Sequence, residues 1–248
     1  MKYKYISVSE TGLKRVHNED YIGVYDTSEG LLIIVCDGLG GNNAGEVASK
    51  MSVEAIYSNF SSSGKSDYLQ IIKNSIINAN HLLQDKSKMN IDLWGMATTV
   101  EVLLLTKDTA YWGHVGDSRI YFWKNGNLKQ VTKDHSLVQK LVDDGLLTLK
   151  EAENHPNKHI IMRAVGDKPA IDIDLSKQKL NRKDDIKYFI CTDGVTEVLK
   201  DNEIEILLKQ KTLEKIAETI KHIINERGAP DNYSYVIVEK NSAEDIYY

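Results

Sequence analysis

Apolar residues along the chain follow two rhythms. Short apolar or alternating runs predict strands over Tyr3–Ser9, Tyr21–Tyr25 and Leu31–Cys36. In the last of these, LLIIVC, consecutive positions are all apolar, which predicts a strand covered on both faces. Ala44, Val47, Ala48, Met51, Ala55 and Ile56 then recur at helical spacing. Leu69, Ile72, Ile76, Ala79 and Leu83 form a second helical stripe. Ala97–Leu105, Ala110–Val115 and Arg119–Trp123 predict a meander, with the turn pair Asn125–Gly126 leading into Leu128–Thr132. Ser136 is placed to cap a short helix through Val142 that ends at Gly145, and Thr148 and Glu151 have capping-box spacing. The stretch from Asn154 to Lys168 shows neither rhythm. Lys187–Cys191 predicts a strand. Leu213, Ile216, Ala217, Ile220 and Ile224 predict a helix closed by Gly228, and Tyr233–Val238 a final strand. Strands come in groups with helices between the groups, which predicts a layered α+β fold rather than a doubly wound α/β one. Without a long linker or repeat, one domain over residues 1–240 is expected, with a frayed tail over 241–248.

Composition narrows the function classes. The chain has 248 residues, 42% of them hydrophobic and only 3 of them proline, so it is globular and long enough for a sizeable core. Lys and Arg number 31 against 36 Asp and Glu, a net charge of −5 without a basic block. That argues against a nucleic-acid or anionic-membrane surface. Cys36 and Cys191 do not make a disulfide framework. Neither a signal-type apolar core nor a membrane-length apolar run is present, so a cytoplasmic location is expected.

The candidate chemistry lies in the aspartates. Asp37 follows LLIIVC, Asp193 follows YFICT, and each precedes a glycine; Asp117, Asp231 and Asp20 also lie close to strand ends. Any one of them alone reads best as a turn former. Gathered at one point, they would repel one another unless hard cations relieved the charge, and oxygen donors suit Mg²⁺ or Mn²⁺. The glycines at 38 and 194 suggest sharp backbone turns at both places. The loop DGLGGNNAGEVAS matches no nucleotide motif: the third glycine of a dinucleotide fingerprint falls at Asn43, and Gly45 is followed by Glu46 where a P-loop has lysine.

Eight segments occur in one order over nearly the whole chain: RVHNED (15–20), VCDGLGGNNAGEVAS (35–49), GMATTV (95–100), GHVGDSRIY (113–121), KDHSL (133–137), MRAVG (162–166), CTDG (191–194) and DNYSYVIV (231–238). In this the chain resembles the metal-dependent protein phosphatases of the type 2C class, in their compact bacterial form. The resemblance implies a four-layer αββα sandwich, two antiparallel sheets flanked by helix pairs. It implies two Mn²⁺ or Mg²⁺ ions, with a third associated with bacterial members. Asp37 would bridge the pair, the Gly38 carbonyl, Asp193 and Asp231 would complete the inner shell, Glu19 and Asp20 would act through water, and Asp117 would serve the third ion. Arg15 would hold the substrate phosphate, and a flap would span about 136–168. The activity implied is hydrolysis of phosphoserine and phosphothreonine by a metal-bridging water, reversing a Ser/Thr kinase, by a monomer acting on phosphoproteins.

Two positions depart from the family pattern. Ala97 stands where Gly is usual, which costs little unless the backbone there needs a positive φ. Leu39 stands where some members have a histidine proposed as the leaving-group acid. His17 and His114 adjoin the motifs and are candidates for that proton, although ordinary hydrogen-bonded roles fit them better. Cys36 and Cys191 read as buried small hydrophobes rather than nucleophiles.

Overall fold

In the computed structural model, residues 3–40, 44–64, 67–181 and 184–240 are described. The middle of the loop Gly41–Asn43 and the tail expected over 241–248 lie outside them. LLIIVC forms the centre of β3 (Gly30–Leu39), and Leu31 to Cys36 are all at most 3% exposed. The period of two explains this. Leu32, Ile34 and Cys36 face a helical layer, while Leu31, Ile33 and Val35 face a second sheet.

One sheet holds β2 (Asp20–Thr27), β3, β5 (Val100–Leu105), β6 (Thr109–Val115) and β9 (Asp174–Lys179) in that order, with the two-residue β4 (Ala97–Thr98) on the end of β3. The other runs β1 (Tyr3–Glu10), β11 (Tyr233–Lys240), β10 (Ile186–Cys191), β7 (Arg119–Lys124), β8 (Asn127–Gln130). Every pairing is antiparallel. Ile33, Val35 and Leu103 meet Ile120, Tyr188, Ile190 and Val236 between the sheets. Helices α1 (Ala44–Ser62) and α2 (Tyr68–Met89) cover the first sheet through Ala48, Ile56, Ile72 and Ile76. Beyond the second sheet lie α5 (Asp193–Thr196), α6 (Asp201–Leu207) and α7 (Leu213–Glu226), whose Ile216, Ile220 and Ile224 pack on Phe189, Tyr235 and Ile237. The result is the four-layer αββα arrangement.

Local signals behaved as their chemistry requires. Ser136 caps α3 (Leu137–Asp143), and Thr148 and Glu151 close a reciprocal capping box on α4 (Leu149–Glu153). The expected Ala97–Leu105 strand is instead broken at Thr99, because β4 pairs with the end of β3 while β5 pairs with its middle. Ala97 is not at positive φ, so its methyl is accommodated without backbone strain. β9, α5 and α6 had no sequence signal. β9 (DLSKQK) is a largely exposed edge strand, and α5 is a single turn. Among the described residues, no helix is long and apolar enough to cross a membrane.

Candidate functional site

The two sheets bring their carboxylate-bearing ends together. In the β2–β3 ladder, Asp20 is directly opposite Asp37. From the other sheet, Thr192 at the end of β10 donates to Asp20 Oδ2 at 2.9 Å, and its own hydroxyl accepts from Ser234 N at 3.0 Å. Asp193 follows as the first residue of α5, with its carboxyl close enough to that of Asp37 for each to perturb the other. Asp117, on the β6–β7 turn, completes the group of four, with its neighbour Ser118 linked to Thr99 at 2.9 Å.

Electrostatics register this crowding. Burial, then the charge of Asp20, Asp193 and Asp117, pushes Asp37 well above the ordinary carboxylate range. Asp20 rises to about 7, chiefly through burial. Asp117 rises to about 8 through burial and the proximity of Asp193, and Asp193 to about 6 through burial and Asp231. Asp20 Oδ1 and Asp117 Oδ1 are buried without a hydrogen-bond partner. An unpaired buried carboxylate oxygen is costly, so such atoms invite a cation.

Two polar clamps, unread in the sequence, hold this geometry. Asp37 N donates to Thr99 Oγ1 at 2.9 Å, while its carbonyl accepts from Thr98 Oγ1 at 2.8 Å and from Thr99 N at 2.9 Å. The adjacent threonine hydroxyls of GMATTV were the available signal. Asn232 forms the second clamp. Its Oδ1 accepts from Glu19 N at 2.9 Å, and its amide donates to the Thr11 and His17 carbonyls, each at 2.8 Å. It thereby fixes both ends of the loop that carries Arg15.

Glycines 38 and 194 serve a purpose other than the expected turn. Neither has positive φ. A Cβ at Gly38 would lie 2.1 Å from the Gly45 carbonyl oxygen, and one at Gly194 would lie 1.9 Å from that of Asn232. They are sites of close backbone approach, which no side chain permits.

Arg15 and Asp231 sit at the margin. Arg15 Nη2 donates to Asp231 Oδ2 at 2.8 Å, with the arginine side chain half exposed. Asp231 Oδ1 accepts from Asn232 N at 2.7 Å. Asp231 therefore lies within electrostatic reach of Asp20 and Asp193 but turns its oxygens to other partners. Accordingly, among the described residues no three His, Cys, Asp or Glu side chains are already disposed to hold one ion. The donor chemistry nonetheless fits a hard divalent cation. Four carboxyl groups come together, and two of their buried oxygens have no hydrogen-bond partner.

Histidines do not supply an obvious acid. His114 is 1% exposed, with Nδ1 on Glu101 and Nε2 on the Lys133 carbonyl at 2.8 Å. His17 is exposed on the Arg15 loop. Cys36 and Cys191 are buried free thiols, pushed well above the ordinary thiol range by burial. A cleft of about 670 Å³ opens from Asp117 and Asp193 toward Arg119, His159, Glu197 and Lys200.

Comparison with known proteins places the chain in a family. The family model for protein phosphatase 2C matches residues 14–231. A serine/threonine phosphatase stp of Listeria welshimeri is 32% identical, covering 94% of each chain. Protein phosphatase PhpP of Streptococcus pneumoniae is 33% identical over 96% of this chain and 97% of its own. Among solved structures, Stp1 of Staphylococcus aureus superposes with a TM-score of 0.90 at 31% identity, over 98% of this chain and 96% of that one. The catalytic domain of the phosphatase PstP, solved in complex with 2 manganese ions, gives 0.84 at 30% identity, over 96% and 97%. With its fold, its carboxylate-lined cleft and its motifs in agreement, the chain belongs to the protein phosphatase 2C family of serine/threonine phosphatases.

Proposed function

We propose that this phosphatase depends on Mn²⁺ or Mg²⁺ held by Asp37, the Gly38 carbonyl, Asp193 and Asp231, with Glu19 and Asp20 behind them and Asp117 serving a further ion. The supporting observation is the convergence of Asp20, Asp37, Asp117 and Asp193, where burial and then their mutual charge raise all four. When bound, the ions supply a nucleophilic water at neutral pH and offset phosphoryl charge.

The chain's own residues carry the remaining tasks. Arg15, beside Asp231, grips the phosphate oxygens in a bidentate fork, leaving Asp231 free to turn inward. Thr98 and Thr99 keep the Asp37 backbone still, and Asn232 keeps the Arg15 loop at a fixed distance from it. Positioning of this kind is worth orders of magnitude in rate. The substrates are phosphoserine and phosphothreonine side chains written by a protein kinase, presented in the cleft beside α4 and α5.

The test is hydrolysis of para-nitrophenyl phosphate and of a phosphothreonine peptide with Mn²⁺, and again with excess chelator. Both reactions proceed with the metal and stop with the chelator; turnover in chelator contradicts the metal requirement. Asp117→Ala lowers kcat by about 10–100-fold while metal analysis still finds the other ions bound. Loss of all bound metal in that variant would assign Asp117 to the inner shell instead.

A further inference from the structure

We propose that His135 is a positioning residue that ties the base of the flap to the turn carrying Asp117. The proposal rests on the reading of Asp117 as part of the working centre.

His135 is 8% exposed and all its polar atoms are committed. Its backbone N–H donates to the Gly116 carbonyl at 2.7 Å, and its Nδ1 accepts from Gly116 N at 3.1 Å. Both polar groups of the residue before Asp117 are thus held by this one histidine. On its other side, the His135 carbonyl accepts from Met162 N at 2.7 Å, and Ser136 bridges Ile161. The outgoing and returning arms of the 136–168 segment are therefore joined here. The returning arm goes on to pair with Thr98 through Val165, at 2.9 and 2.8 Å, and Thr98 is the residue that clamps Asp37.

The ring must be in one tautomer for this to work. Gly116 N–H needs a lone pair at Nδ1, which in the neutral ring leaves the proton on Nε2, facing Asp174 Oδ2 at 3.3 Å; Arg163 Nη1 also approaches Nε2, at 3.1 Å, and finds its acceptor in Asp174 instead. Arg163 Nη1 donates to Asp174 Oδ1 at 3.1 Å and so fixes that acceptor. Burial, the neighbouring His114 and Arg163 push His135 down to about 4, which keeps the ring neutral. The ring packs against His114, with centroids 4.3 Å apart and planes tilted by 37°. In the Glu101–His114 pair, burial acts against both charges, but the contact with Glu101 raises His114 to about 9. His114 Nε2 donates its proton to the Lys133 carbonyl, and Nδ1 shares a proton with Glu101. These contacts act through the position of Gly116 and Met162.

Two isosteric substitutions separate this role from general packing. An Asn side-chain oxygen sits where Nδ1 does, and a Gln amide reaches instead toward the place of Nε2. The experiment measures amide hydrogen exchange at Gly116 by NMR, and kcat and KM on para-nitrophenyl phosphate with Mn²⁺. The wild type and His135→Asn retain slow Gly116 exchange and comparable kcat. In His135→Gln, Gly116 exchanges about tenfold faster or more. Its kcat falls about tenfold with KM little changed. Equal exchange at Gly116 in the Asn and Gln variants, or faster exchange with unaltered kcat, overturns the proposal. The exchange arm is read on the folded protein whether or not it hydrolyses phosphate, so failure of the functional reading is distinguishable from failure of this one.

Discussion

At the scale of single residues, the site is a stability cost. Asp37 is held well above the ordinary carboxylate range by burial and by three neighbouring acids. Removing its charge relieves that repulsion. Asp37→Asn therefore raises the melting temperature measured in chelator by about 2–6 °C while phosphatase activity is lost. A variant that melts lower than wild type in chelator contradicts this account of the cluster. The same residues show what sequence reading could and could not reach. The aspartates were legible because carboxylates beside apolar strands are conspicuous. That Asp193 would come to lie beside Asp37 was not, since the two are far apart along the chain and only the sheet packing joins them. Gly38 and Gly194 were legible as special positions but for another reason: space against the Gly45 and Asn232 carbonyls is what they provide.

At the scale of elements, periodicity carried most of the information. β3 and α7 follow directly from their apolar patterns, and α3 and α4 from their capping residues. β9 was not legible because an exposed edge strand needs no apolar face, and β4 separates from β5 for a reason of tertiary pairing. α7 lies in the outer layer, remote from the carboxylates, so its burial contributes to stability and not to chemistry. Ile220, fully buried there, gives a clean test. Ile220→Ala costs about 2–5 kcal/mol in chemical denaturation. Mn²⁺-dependent kcat per folded molecule stays unchanged; a comparable fall in kcat would mean that the outer helices shape the site.

At the scale of the molecule, folding and metal binding are linked through protons. Asp20, Asp117 and Asp193 lie at about 7, 8 and 6, above the ordinary value of 3.8. A raised carboxyl holds its proton in the folded protein where the unfolded chain has released it. Its contribution to stability is therefore full below pH 4 and is lost as pH rises toward 8. A cation that replaces those protons binds better as pH rises. The increase in melting temperature on adding Mn²⁺ thus grows between pH 5 and pH 8; a pH-independent increase contradicts the linkage. The most direct test of the whole account is an equilibrium Mn²⁺ titration of the chelator-stripped protein, with para-nitrophenyl phosphate turnover followed in the same samples. The account predicts that a pair of ions binds per chain and that turnover appears with their occupancy, both being lost in Asp193→Asn. Turnover at the wild-type rate with no bound metal, or ion binding unaffected by Asp193→Asn, would contradict it.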